Sequence, residues 1–254
     1  MKEGDFMGFK VLLVRHGTTQ ANIERRYEGK GDSLLSEEGA EQAARLADRL
    51  SSLDISMVYS SPKKRCVQTG EAIAKPHGLP VKIVLGLEEV DFGLWEGLTF
   101  DEIQERDKEL VSRWIEDPVR TRPPYGETLE EMASRVFRSY SEICALHARE
   151  NAGQSDTRKA SQIVIVTHGG PIRAILSQIE KGNLSGFWDY LVPPCSVVEV
   201  EAKGTEAKEA EGTGVSASHF LGSKGDGGFC FTFSFGETKD LTIYSKNSNQ
   251  MSAM

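Results

Sequence analysis

Two apolar runs in this 254-residue chain end in a histidine followed by glycine. Val11-Leu12-Leu13-Val14 leads into Arg15-His16-Gly17-Thr18, and Ile163-Val164-Ile165-Val166 leads into Thr167-His168-Gly169-Gly170. Imidazole serves as nucleophile, acid or base near neutral pH. Arginine adds a permanent cation whose planar fork matches phosphate oxygens in bidentate fashion. A helix opening after Gly170, with Pro171 suited to its first turn, aims unpaired N–H groups at the same place and favours an anion. Arg65 stands one turn into a helix that follows Ser60-Ser61-Pro62, within reach of the same region. Two arginines, two imidazoles and a helix N-terminus together describe a pocket for a phosphoryl group.

Each residue has a plainer reading. A lone histidine at a strand end is more often structural than functional, and Arg65 alone would more often be a solvated helix charge. Two strands of one sheet ending in the same way reverse that preference, provided that they are neighbours. Glu88 and Glu89, in the glycine-punctuated loop that runs to Gly97, are as readily surface carboxylates as site groups. A metal centre is the weaker alternative: neither H-E-x-x-H nor H-x-H occurs, and Arg15 repels a cation.

The elements that must hold these residues alternate. Val11–Val14 reads as a strand buried on both faces. After the polar loop from Thr18, Ser36 caps a helix with Glu37 and Glu38 in its first turn and Ala40, Ala43, Ala44, Ala47 and Leu50 at helical spacing. Ile55–Tyr59 is a second strand, and Ser60-Ser61-Pro62 reads as the cap of a helix through about Ala74. Val81–Leu85 is a third strand. From Gly86 to Gly126 the alternation breaks into a lid-like insertion, with a Thr99-x-x-Glu102 capping box and a proline- and arginine-rich stretch from Asp117. A second box, Thr128-x-x-Glu131, opens a helix reaching about Glu150, followed by a polar linker, Asn151–Ser161. Ile163–Val166 is the fourth strand, with a helix after it through Ile179, and Cys195–Val200 is the fifth. Glu201–Gly228, poor in apolar residues, reads as a mobile hairpin insertion, with Phe231–Phe235 and Leu241–Tyr244 as late edge strands. The expected architecture is one α/β domain over residues 1–254, a mostly parallel sheet with helices on both faces. In such a sheet ligands bind outside the carboxyl ends of the strands at a topological switch point.

Composition sets outer bounds. With 39% hydrophobic and 27% charged residues, the chain has the mass for a real core. A net charge of −8 argues against nucleic acid or an anionic membrane surface as the main partner, yet permits a small anion held by local arginines. Cys66, Cys144, Cys195 and Cys230 lack C-x-x-C spacing and read as reduced structural thiols. The charged start has no apolar signal-like run, and no stretch reaches membrane-spanning length, so a cytoplasmic protein is expected.

Leu13-Val14-Arg15-His16-Gly17-Thr18-Thr19 resembles the R-H-G signature of the histidine phosphatase superfamily, the phosphoglycerate-mutase-like fold. The similarity extends over Asn22, Ser60–Thr69, Leu87–Gly97 and Thr167–Arg173, and so covers most of the chain to about Val200. It implies that neutral His16 attacks phosphorus to form a phosphohistidine, with Arg15, Arg65 and His168 stabilising charge on the equatorial oxygens. Glu89, in the family spacing Leu87-x-Glu89-x-x-aromatic-Gly93, matches the proton donor to the leaving oxygen and the base for water in the second step. Phosphate- or substrate-binding positions implied by the resemblance are Arg15, Asn22, Glu28, Gly29, Arg65 and Gly169. Glu28 stands where relatives often carry glutamine or arginine, which points it at an uncharged part of the substrate. No metal or organic cofactor is implied.

Arg26–Gly29, Asp91–Gly97 and Arg122–Thr128 are most similar to the alpha-ribazole phosphatase branch, which gives alpha-ribazole 5′-phosphate as the expected substrate. Phosphoserine phosphatase and fructose-2,6-bisphosphatase-like activities are alternatives on the same chemistry. A phosphoglycerate mutase is the nearest rival, with Arg113, Arg120 and Arg122 as candidates to hold a second anionic group. A non-catalytic phospho-ligand-binding scaffold is the reading of a different class, opposed by the intact set of Arg15, His16, Arg65, Glu89 and His168. Oligomeric state stays open, with a homodimer as the candidate assembly.

Overall fold

The structure, a computed structural model, describes residues 8–151, 162–206, 219–221 and 229–235. Its elements in chain order are β1 (Phe9–Arg15), α1 (Gln20–Ile23), α2 (Glu37–Leu50), β2 (Ile55–Ser60), α3 (Lys64–Ala74), β3 (Val81–Ile83), α4 (Phe100–Arg106) and α5 (Lys108–Glu116). They continue with α6 (Leu129–Asn151), β4 (Gln162–Thr167), α7 (Gly169–Lys181), β5 (Val197–Glu206), β6 (His219–Leu221) and β7 (Phe229–Phe235). The strands form one sheet in the order β3-β2-β4-β1-β5-β7-β6. The ladders β3–β2, β2–β4 and β4–β1 are parallel, and those from β1 to β5, β7 and β6 are antiparallel.

Burial on both faces follows from the side-chain period of two. Val11 and Leu13 of β1 and Ile163 and Ile165 of β4 pack with Met132 and Val136 of α6 and Ile172 and Ile175 of α7. Leu12, Val14, Val164 and Val166 face the other way onto Leu46 and Leu50 of α2 and Cys66 and Ile73 of α3. The apolar runs therefore contain no polar alternation, because each strand is covered twice. β1 and β4 are direct neighbours, with Val14 opposite Val166 and Arg15 opposite Thr167. Of the helices that follow them, α2 packs on one face and α7 on the other, so the carboxyl ends of β1 and β4 stand at a switch point of the kind where ligands bind in open α/β sheets.

Local signals explain most boundaries. The Ser36 hydroxyl accepts from the Gly39 N–H and starts α2, and Thr99 and Glu102 make both bonds of their capping box at α4. Thr128 and Glu131 exchange the same pair of bonds at the start of α6, at 2.9 and 3.1 Å. Inside the 86–126 insertion, α4 and α5 close over a small aromatic core of Trp95, Ile103, Val111 and Trp114, against which Tyr27 packs.

Four expectations need correction. The third strand stops at Ile83, where the chain turns into the tight helical turn Leu85–Leu87 that carries it into the site. Ser61 does not cap α3, which begins at Lys64 with Lys63 as an uncapped flank, because the Ser61 hydroxyl is spent on His168. The fifth strand runs from Val197 rather than Cys195, whose φ of 54° takes the backbone out of extended geometry. Of the stretch expected to be a mobile hairpin insertion, 201–206 continue β5 and 219–221 form β6, because the backbone of β7 pairs with both. The other residues of that stretch, the expected strand Leu241–Tyr244 and the linker beyond Asn151 lie outside the described residues.

Candidate active site

The end of β1 places His16, only 4% exposed, at the mouth of the crevice. Its backbone N–H continues the ladder to the Thr167 carbonyl at 3.0 Å. The Nδ1 atom lies 2.7 Å from the Gly17 carbonyl oxygen. A carbonyl only accepts, so Nδ1 carries the proton and Nε2 keeps its lone pair. Burial, reinforced by the Arg15 and Arg65 charges, holds the imidazole pKa well below its usual value, so the ring is neutral at physiological pH. The turn after it requires glycine by close approach: a Cβ on Gly17 would stand 2.5 Å from the Gly39 carbonyl oxygen. Gly17 N–H is fixed by the Thr69 hydroxyl at 3.1 Å.

His168, fully buried, ends β4 and faces His16 with ring centroids 5.1 Å apart at 68°. Its Nε2 is hydrogen bonded to the Ser61 hydroxyl at 2.9 Å, with the Cys66 sulfur 3.4 Å away. Burial first, and then Arg65, His16 and Arg15, keep its pKa well below the ordinary value. Burial raises the pKa of the Cys66 thiol, which keeps it protonated.

Two guanidinium groups border the imidazoles. Arg15 donates from Nη1 to the Val192 carbonyl at 2.7 Å, and burial brings its pKa down to about 10, which leaves it charged. Arg65, 1% exposed, donates to the Gly31 carbonyl at 2.6 Å and to the Glu28 and Gly29 carbonyls at 3.2 Å each. The Nε of each arginine is buried without a hydrogen-bond partner in the protein. Buried donors of this kind are rarely left unpaired, and phosphate oxygens are acceptors of the matching geometry.

Glu89 and Glu88 diverge. Glu89 turns inward, with Oε2 accepting from the Gly170 N–H and Oε1 from the Val90 N–H, both at 3.0 Å. Glu88 turns outward to Lys63, 3.2 Å away. The first turn of α7 thus meets the carboxylate through Gly170, while Gly169 lies over the Arg15 guanidinium, where a Cβ would stand 3.7 Å from Cζ. Arg173, one turn further along α7, stacks on the Trp188 ring at 5.5 Å and donates to the Tyr190 carbonyl at 3.0 Å.

The remaining expected positions are structural in their contacts. The Asn22 side-chain oxygen Oδ1 accepts from Thr19 N–H at 3.1 Å, which closes a capping box on α1. Glu28 pairs with Arg65 at 3.2 Å and accepts from Thr19 Oγ1 and Ser33 N–H. It is therefore an anchor of its own loop, where a substrate contact was expected. Gly29 is required by packing, because a Cβ there would fall 1.8 Å from the Val90 carbonyl oxygen. Arg122 pairs with Glu131, away from the imidazoles in its contacts.

Three side chains escaped the reading of the sequence. Ser61 orients His168, hidden behind a serine–proline pair that is also a capping signal. Glu96 collects the N–H groups of Gly29, Lys30, Gly31 and Phe92 and ties the Arg65-bound loop to the insertion. Arg135 of α6 holds the backbone of the Glu89 loop. Among the described residues, no group of three or more His, Cys, Asp or Glu side chains could hold a metal ion. None of their helices is long and apolar enough to cross a membrane.

A neutral histidine with a free Nε2, a second imidazole 5.1 Å away and two arginines with unpartnered Nε atoms form a constellation suited to phosphoryl transfer. The model of the histidine phosphatase superfamily (branch 1) matches residues 11–211. The chain belongs to this family. Its members' fold is shared too: a mycobacterial glucosyl-3-phosphoglycerate phosphatase superimposes with a TM-score of 0.68 at 26% identity, over 77% of this chain and 91% of that one. Phosphoserine phosphatase 1 of Hydrogenobacter thermophilus is 33% identical over 181 residues, covering 71% of this chain and 81% of the relative. The adenosylcobalamin/alpha-ribazole phosphatase of Escherichia coli is 27% identical over 183 residues, covering 72% and 85%. The chain spans only 43% of another relative, a bifunctional protein of Mycobacterium tuberculosis, with 36% identity over 168 residues. As a histidine phosphatase the chain classes as a phosphoric monoester hydrolase.

Proposed function

We propose that the protein hydrolyses a small phosphomonoester through a phosphohistidine on His16. The carrying observation is the Nδ1–H bond from His16 to the Gly17 carbonyl, which reserves the Nε2 lone pair for phosphorus. In the first step the Nε2–P bond forms as the bond to the leaving oxygen breaks, and protonated Glu89 gives its proton to that oxygen. In the second step water attacks phosphorus, Glu89 takes the water proton, the P–N bond breaks and inorganic phosphate leaves. Arg15, Arg65 and His168 hold the three equatorial oxygens, where charge builds up in both steps. The reaction restores neutral His16 and protonated Glu89 and consumes one water.

For the substrate we take alpha-ribazole 5′-phosphate as first choice, on the likeness of Arg26–Gly29, Asp91–Gly97 and Arg122–Thr128 to that branch. The identity of 33% to a phosphoserine phosphatase, against 27% to an alpha-ribazole phosphatase, favours phosphoserine as the second reading. The test is turnover of both esters, with phosphoglycerates as mutase controls, together with acid-labile, base-stable phosphate on the protein quenched during turnover. His16→Ala must lose both the trapped phosphate and hydrolysis. Hydrolysis by pure His16→Ala, or isomerisation outpacing phosphate release, refutes the proposal.

A further inference from the structure

Arg135 donates to more of the Glu89 loop than any other described side chain does. Its Nη1 reaches the carbonyls of Gly86 at 3.1 Å and Glu88 at 2.7 Å, and its Nη2 reaches that of Glu89 at 2.7 Å. Nε and Nη2 also meet the two carboxylate oxygens of Glu127 at 2.8 Å each. Those bonds use all five N–H donors of a guanidinium in its planar fork. The one carbonyl of the turn that Arg135 leaves, that of Leu87, accepts from the Thr167 hydroxyl at 2.6 Å. Backbone carbonyls 86 to 89 are thus all bound by side chains, three of them by one guanidinium around which the chain is curled. One helical turn beyond Arg135, Ser139 closes on Gly86 so tightly that a Cβ there would meet its Oγ at 1.9 Å. Glu127 in turn donates its own N–H to the Asp91 carbonyl at 2.8 Å, just past the Glu89 loop.

This architecture has a directional consequence. The Glu89 carboxylate reaches α7 through one bond to the Gly170 N–H, and its bond to Val90 is internal to the loop. The position of the carboxylate against α7 is therefore set by where the backbone at residue 89 is held, and that is set by the guanidinium. From the five bonds converging on it, we infer that Arg135, charge-paired with Glu127, is a positioning residue that aims Glu89 at the leaving oxygen. The inference rests on Glu89 acting as the acid under the proposed function.

A general acid matters in proportion to the basicity of the leaving group. An alkoxide needs the proton, whereas p-nitrophenolate departs without it, so loss of aim shows as selectivity between esters. The experiment compares kcat/KM for an alkyl phosphate and for p-nitrophenyl phosphate, which reports the steps up to P–O cleavage. Arg135→Met, of similar length but without donors, is expected to lose about 10- to 100-fold on the alkyl ester and less than about 3-fold on the aryl ester. Arg135→Lys keeps charge but not the fork, and is expected to show the same selectivity. If Arg135→Met does not fold, Glu127→Gln supplies the test, since it weakens the clamp from its other side while Arg135 keeps its carbonyl bonds. Equal losses on both esters, or no loss on either, overturn the inference. Glu89→Gln run in parallel separates the two ideas: without selectivity there, the acid assignment itself falls, whereas selectivity there but not at Arg135 or Glu127 removes only the positioning role.

Discussion

Gly170→Ala is the substitution whose effect the geometry specifies most narrowly. A methyl group at Gly170 would stand 2.1 Å from Glu89 Oε1 and 3.1 Å from its Cδ. Ordinary carbon–oxygen contacts do not close below about 3 Å, so the oxygen must retreat by about 1 Å. It is the far end of a flexible side chain, so the retreat costs little folding energy. Alanine also suits a helix interior better than glycine by about 0.8–1 kcal/mol, and residue 170 lies in the first turn of α7. Folding stability should therefore hold or rise while the acid is displaced from the Gly170 N–H that fixes it. A misplacement of about 1 Å costs on the order of 100-fold in rate, equivalent to about 2.7 kcal/mol of transition-state stabilisation. The assay pairs thermal unfolding with kcat/KM for an alkyl and an aryl phosphate. The expected result is an unchanged or higher Tm, a loss of about 100-fold on the alkyl ester and a much smaller loss on the aryl ester. Alkyl phosphate turnover within about 3-fold of the parent, in a protein of equal Tm, would refute the assignment of Glu89 as the acid held by α7.

Acid should destabilise the fold before the bulk of the carboxylates titrate. His16 and His168 have lowered pKa values in the native state, so the unfolded chain binds their protons first, near pH 6.5. Their contribution is complete above that pH and is lost as pH falls through it, at up to about 1.4 kcal/mol per pH unit for each histidine. Urea unfolding at pH 7.5 and 5.5 measures this, and a midpoint that stays level or rises on acidification contradicts it. Ser61→Ala removes the hydroxyl at 2.9 Å from a buried His168 and should cost about 1–3 kcal/mol of stability, read from the same unfolding curves. A loss below about 0.5 kcal/mol would show that the Cys66 sulfur, 3.4 Å away, suffices as a partner.

What could be read from the sequence was what is local in it. The strands bearing His16 and His168 announce themselves as unbroken apolar runs, because both faces are covered. The starts of α2, α4 and α6 announce themselves through hydroxyl caps within three residues of their partners. What escaped is what the fold brings together from afar. Arg135 meets the carbonyls it holds across 46 to 49 residues of sequence, and Glu96 meets the loop of Gly29 to Gly31 across 65 to 67. Neither has a spacing that a linear pattern can register. Ser61 shows outright competition: its neighbour Pro62 signals a helix start, but bonding a buried imidazole claims the hydroxyl instead. The 201–206 segment, polar in composition, gave no hint that an apolar strand more than twenty residues later pairs with its backbone.

The anion binding proposed for the site has to be reconciled with a chain whose net charge is −8. Location rather than count decides this. Arg65 is buried and Arg15 partly so, at and beside the strand ends of the sheet, where both add to burial in lowering the pKa of the two histidines, and Arg173 adds to the repulsion on Arg15. The acidic residues that oppose them are few: Glu89 beside Arg15, and Glu28 paired with Arg65. Surface carboxylates, at a distance and across water, are screened beyond about 8–10 Å. The folded chain thus holds its arginines in mutual repulsion before any substrate arrives, with donors already oriented. A phosphoryl dianion entering the crevice relieves that repulsion instead of reorganising solvent around it, which is the condition under which fixed charges lower a barrier most. The same field adds to burial in keeping His16 unprotonated, so under the proposed function one arrangement of cations both attracts the anion and preserves the nucleophile.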